Sequence, residues 1–87
     1  MKTIMKYITP AIAEELIKYR KRTNPIKQTK LNKIKNMMLS GRWKNKIGTP
    51  IVVKNSELLD GYHRLTAIIE TRRCYLIPIE SDDSITL

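Results

Sequence analysis

Residues 58–65 read LLDGYHRL, and within that stretch a carboxylate, a glycine, the only histidine of the chain and an arginine follow one another. Such a turn offers anion chemistry. Gly61, with no Cβ, lets the backbone approach a ligand closely or take up a positive φ. The first amides of a helix beginning near Tyr62 have no intrahelical acceptor and point outward, which makes them a seat for phosphate. His63 and Arg64 then place one titratable and one permanent cation at the positive end of that helix. For stability alone this arrangement is unfavourable by about 0.3–1 kcal/mol per charge, and a bound anion reverses the sign. Arginine also matches phosphate geometry through two parallel N–H donors.

Asp60 carries more than one reading. It is placed to hold Mg2+ through water, to act as a base toward a hydroxyl, or to orient His63 or Arg64. As an N-cap it would accept the amide of Tyr62 or His63 and stabilise the helix by about 1 kcal/mol. His63 is open to a structural hydrogen bond as well as to ligand contact, and Arg64 to an ion pair with Asp60 or Glu57. Cys74 follows two arginines, which would favour its thiolate. Its place at the start of an apolar run predicts a small packed residue instead. No nucleophile, base and orienting acid can be assembled from the sequence, which argues against triad hydrolysis.

The elements around the turn follow from spacing. TIMKYI predicts a short strand. Thr9 before Pro10 predicts a helix start, because the hydroxyl can accept an orphan amide and proline's missing donor is harmless in the first turn. Ile12, Leu16 and Tyr19 continue that helix as an apolar stripe. TNPIKQT predicts an irregular connection, since Pro25 biases Asn24 away from helical angles. A second helix is expected over about 30–40, with Leu31, Ile34 and Met38 on one side and Gly41 as its stop. Trp43 should pack over the end of that helix. IVV at 51–53 and ELL at 57–59 read as strands flanking a turn. A third helix follows on Tyr62, Leu65, Ile68 and Ile69. CYLIPIE reads as a last strand, in which Pro78 argues for an edge or an end.

The chain has 87 residues, 41% of them hydrophobic. That predicts one compact α+β domain over residues 1–80, with a small mixed sheet, about three helices and a short polar tail at 81–87. A single cysteine and a single histidine exclude an internal disulfide and a multi-cysteine zinc site. No signal peptide or membrane span is apparent, so a cytoplasmic protein with no membrane partner is expected.

The formal charge is +9, and no acidic residue falls between Leu16 and Ser56. Lys18, Arg20, Lys21, Arg22, Lys27, Lys30, Lys33, Arg42, Lys44 and Lys46 lie in that block and are the candidate nucleic-acid contacts. A field so little cancelled favours a polyanion or an acidic protein surface as partner. A plain solvated surface remains the alternative.

ITPAIAEELI, MMLSGRW, IVV and LLDGYHRLTAI, in this order over about residues 7–79, resemble the ParB/sulfiredoxin-like superfamily, in particular small phage- and plasmid-borne ParB-like nuclease domains. The resemblance implies a fold in which the Asp-Gly-x-His-Arg turn cradles the phosphates of a nucleotide. Gly61 would give the close approach, His63 and Arg64 would contact phosphate, and Asp60 would match the acid found in the kinase and nuclease members. Where sulfiredoxins place the catalytic cysteine this chain has Tyr62, which implies that sulfinic acid reduction is absent. The chromosome-partitioning members resemble this chain only in the domain that binds a cytidine nucleotide. With the sequence stopping at Leu87, no helix-turn-helix domain is expected. Glu14 and Glu15 are poor matches for the catalytic glutamate of the serine-kinase branch.

Three functions compete. One is a DNA-binding module without sequence preference, with a phosphate- or nucleotide-binding turn at Gly61, Tyr62, His63 and Arg64. Another is a metal-dependent nuclease or nucleotide hydrolase with Asp60 and His63 as catalytic groups and Mg2+ arriving with a nucleotide. The last is a phage-encoded protein that meets an acidic host protein and blocks or redirects it.

Overall fold

Thr9 opens the first helix as its neighbour in sequence demands: its Oγ1 accepts from the Ile12 amide at 3.2 Å, and Pro10 occupies the first helical position. The computed structural model describes residues 2–21, 25–44 and 49–82, so Arg22 and Lys46 lie outside the described residues. Its elements run β1 (Lys2–Ile8), α1 (Pro10–Ile17), α2 (Gln28–Leu39), β2 (Ile51–Lys54), β3 (Glu57–Asp60), α3 (Tyr62–Thr71) and β4 (Tyr75–Ser81). Three helices and a four-stranded mixed sheet make a single α+β domain.

The sheet order is β1-β4-β2-β3. β1 runs antiparallel to β4 along its whole length, β4 parallel to β2, and β2 antiparallel to β3. Asn55 and Ser56 close the β2–β3 hairpin with both φ values positive, near 55°, the signature of a turn that matches strand twist. Asp82 steadies it by accepting from the Asn55 amide at 2.9 Å. β4 is an inner strand overall. Pro78 is tolerated there because β2 joins the ladder only at Ile79, so at Pro78 the strand has β1 alone beside it.

Alternation along the strands decides what is buried. Ile8, Ile51, Val53, Leu58, Ile77 and Ile79 turn inward and are almost wholly excluded from solvent. Leu16, Leu31, Met38, Leu65 and Ile68 come down onto them from the helices. At the end of α2, Gly41 adopts φ +76° and the amides of Arg42 and Trp43 fold back onto the Met37 carbonyl. Trp43 then sets its ring edge-on to Tyr75, 4.8 Å between centroids. Cys74 is exposed rather than packed. The reason is local: α3 ends on Arg72 at φ +57°, and the chain meets β4 only at Tyr75. Among the described residues no helix is long and apolar enough to cross a membrane.

Candidate functional site

Gly61 fixes the site. Its φ of +111° is open to few residues with a side chain, and a Cβ there would lie 2.8 Å from Ile51 Cγ1. The backbone is thus pressed against a core side chain at the step where β3 becomes α3. Gly61, not Asp60, is the N-cap of α3, and no side chain caps the first turn. The capping role open to Asp60 is therefore not the one it takes: its carboxylate ends β3 and projects outward, 61% exposed. The first helical bond runs from Leu65 N to Gly61 O at 2.9 Å. The amides of Tyr62 and His63 precede it and have no acceptor within the helix.

His63 and Arg64, neighbours in sequence, go to different tasks. The guanidinium of Arg64 turns inward, 12% exposed, and donates from Nη1 to the Thr49 carbonyl at 2.8 Å and from Nη2 to the Pro50 carbonyl at 3.0 Å. Burial pulls its pKa down, and the Asp60 carboxylate 3.8 Å away pulls the other way. This arginine ties the strand entering β2 to the first turn of α3. Its fork is already engaged with carbonyls.

His63 stays at the surface of the turn. Its Nε2 accepts from the Lys27 amide at 3.1 Å, so the neutral ring carries its proton on Nδ1. Desolvation lowers its pKa below the usual histidine value, and the charges of Lys30, Lys27 and Arg20 lower it further. Lys27 is itself the N-cap residue of α2. One histidine therefore joins the starts of two helices. Tyr62 lies beneath Arg20, whose guanidinium carbon is 3.8 Å from the ring centroid.

Two openings flank this step. The larger, about 680 Å3, lies between the first turn of α3, the exposed side of α2 and the segment after Gly41, with Lys30, Lys33 and Lys44 at its rim and Ile34, Met37 and Trp43 as its apolar wall. The smaller, about 240 Å3, lies on the α1 side, where Arg20 and Lys27 face the same Gly61–His63 backbone. Asp60 stands between the two openings, the one carboxylate lining either among the described residues.

Of the sequence-predicted basic residues, the fold gathers Arg20, Lys27, Lys30, Lys33 and Lys44 around residues 60–64. Lys18 is held by Glu15 at 2.9 Å, which raises its pKa, and lies away from both openings. Lys21 and Arg42 are exposed and line neither. The apolar wall was not anticipated. The signal for it is Met37, an apolar helical residue left 38% exposed one turn from Lys33.

The donor set fits a phosphate-bearing ligand, with cations and outward amides beside an apolar wall of a volume suited to a nucleotide. It does not fit a magnesium ion held by the protein itself. Among the described residues no three of His, Cys, Asp and Glu come together, and Asp60 alone is less than Mg2+ takes from a dedicated protein site. Comparison of the chain with protein-family profiles, with curated proteins and with solved structures gave no match.

Proposed function

We propose that this protein binds nucleic acid, DNA in the first instance, through its phosphates, and that the turn at Gly61–His63 seats one phosphoryl group. The observation that carries the reading is the convergence of Arg20, Lys27, Lys30, Lys33 and Lys44, from three separated stretches of chain, on uncapped amides faced, among the described residues, by the carboxylate of Asp60 alone. Repulsion among these cations makes the free groove electrostatically unfavourable, and a polyanion relieves it. Gly61 provides the close approach, the Tyr62 and His63 amides donate, and the lysines neutralise neighbouring phosphates. Arg64 acts here as the brace that holds the turn rather than as a direct ligand. A nucleotide, with any Mg2+ carried on its own phosphates, would enter the larger opening with its base against Met37 and Trp43. The resemblance to ParB/sulfiredoxin-like domains and a phage or plasmid origin belong to the same proposal, as does a cytoplasmic setting.

An acidic protein could satisfy the lysines, but it has no use for a cavity of about 680 Å3 beside helix-terminal amides. Trp43, the only tryptophan, lines that cavity and reports on it. Titration with a duplex oligonucleotide should change its fluorescence. The affinity should fall with salt at a logarithmic slope of about 0.9 per phosphate neutralised, with little dependence on sequence. Unchanged fluorescence together with no salt-sensitive binding would sink the reading. A nuclease assay on the same duplex, with and without chelator and with Asp60→Asn as control, separates binding from cleavage.

A further inference from the structure

Among the described residues all three helices pack against one face of the sheet, and none covers the other. Strand alternation and register put Met5 and Tyr7 of β1, Leu76 and Pro78 of β4 and Val52 of β2 on that outer face. Tyr7 is 64%, Met5 59% and Leu76 46% exposed. They are not scattered: Tyr7 pairs with Leu76, and Met5 with Pro78, across the same ladder. Contiguous apolar surface of this kind marks an interaction site. The parallel pairing of β2 with β4 points the same way, since parallel strands are normally covered on both faces.

The charges identify the occupant. In a chain of net charge +9 the described residues of this face carry Lys54 against Glu57 and Glu80, with Asp60 opposite Val52 at its end, one positive and three negative groups. A nucleic acid or an anionic lipid surface would find a single cation there. A strongly acidic protein would find the same single cation. The same face of a second copy is apolar at its centre and carries both signs at its rim, so a two-fold arrangement sets apolar on apolar and offers Lys54 to the counterpart of Glu57 or Glu80. We infer that the protein forms a two-fold dimer, sheet face against sheet face, leaving both cationic grooves open on the far sides. The platform measures roughly 20 Å each way from strand spacing and rise. That is small beside the roughly 800 Å2 per partner of a standard interface, so only a weak dimer is expected.

Salt distinguishes this association from the groove's. Each copy carries +9, so screening weakens the repulsion between copies and added salt should tighten the dimer while it loosens polyanion binding. The experiment is sedimentation equilibrium of the full chain, free of nucleic acid, from about 1 µM to 500 µM at low and high salt. The expected result is a mass that rises with concentration toward twice 10.2 kDa, more readily at high salt. Tyr7→Glu and Leu76→Glu, each checked for native circular dichroism, should each weaken association at least tenfold. Leu76 lies on an inner strand, so loss on Tyr7→Glu alone would mean that β1 edges pair instead, and would overturn the proposal. So would a wild-type chain that stays monomeric throughout, or one that is monomeric but floats with phosphatidylcholine vesicles in a Tyr7-dependent way. Duplex binding by the Leu76→Glu monomer keeps this test separate from that of the groove.

Discussion

The two sides of this domain are built on opposite principles. On the helix side, Arg20, Lys27, Lys30, Lys33 and Lys44 gather with Arg64 around the start of α3, and Asp60 is the one carboxylate among the described lining residues. On the other side of the sheet, Met5, Tyr7 and Leu76 stand out as an apolar strip with Lys54 and a few carboxylates at its rim. The contrast shows how a small chain separates two kinds of recognition. Charge that would solubilise the whole surface is concentrated where an anion can answer it, and the opposite face is left to the hydrophobic effect. The two regimes meet at Gly61, whose backbone lines the groove and leaves no room for a Cβ beside Ile51 of the core.

The largest expected effect therefore comes from that glycine. Gly61→Ala forces a side chain into φ +111° and into Ile51 at 2.8 Å, a destabilisation of about 3 kcal/mol from strain and overpacking together. Gly41 is the internal control: its φ is also positive, +76°, but nothing lies within 4 Å of the added carbon, so Gly41→Ala should cost about 1 kcal/mol. Urea titration of both variants measures the difference. Equal losses would mean that Gly61 does not couple the groove to the core.

Arg64 comes next. Arg64→Ala leaves the Thr49 and Pro50 carbonyls without their charged donor, and a loss of about 2–3 kcal/mol is expected. Arg64→Lys should not restore it, because a single ammonium cannot span both acceptors as the planar fork does. Duplex affinity should fall in Arg64→Ala through loosening of the groove, measured well below its melting temperature, while association through the sheet face stays as it was. Affinity untouched by this substitution would remove Arg64 from any account of the site.

Smaller and cleaner are the lysines on α2. Lys30→Ala and Lys33→Ala should each reduce duplex affinity about fivefold near 0.15 M salt and each lower the salt slope by about 0.9. Both are exposed, so stability should move by less than about 0.5 kcal/mol. Lys35 sits on the same helix but donates to Glu70 of α3 at 2.8 Å, and Lys35→Ala should leave the salt slope unchanged. If all three lysines behaved alike, the binding would be owed to net charge and not to the groove.

How far the sequence announced these two regions differs in a physically sensible way. Local signals were legible: Thr9–Pro10 opened α1, Gly41 stopped α2, and period-three spacing on Leu65 and Ile68 placed α3. Pairings between distant segments were not. Nothing in DGYHR reveals that Arg64 will turn toward carbonyls fourteen and fifteen residues upstream. Nor does it reveal that the Lys27 amide will find His63 across 36 residues. The edge of β3 is likewise met by the segment that follows α1, where Leu58 N donates to the Tyr19 carbonyl at 2.8 Å, a contact set by packing rather than by either segment. The bare sheet face was hidden for a related reason. Strict alternation in YLIPI says that one face is buried and the other is not, but Leu76 and Pro78 are apolar too, and only the layer arrangement tells which face the helices leave open.

The smallest expected effect separates protonation from packing at the seam of the groove. His63 is held neutral by burial and by the surrounding cations, below its ordinary pKa of 6.5, so in the free protein the unfolded chain binds the proton more readily. Its contribution to stability is then fully present above about pH 6.5 and is lost as pH falls through the depressed native value. Protonation also removes the acceptor for the Lys27 amide, a bond worth about 1 kcal/mol or less. A phosphate seated on the turn reverses the electrostatics, since an anion favours imidazolium where Lys30, Lys27 and Arg20 disfavour it. Because the chain has one histidine, its Cε1 proton can be followed by NMR without assignment ambiguity. The midpoint should lie below 6.5 in the free protein and move upward with a bound duplex, so that affinity strengthens modestly as pH is lowered. A midpoint that does not move when the duplex saturates the protein would place the anion somewhere other than beside His63.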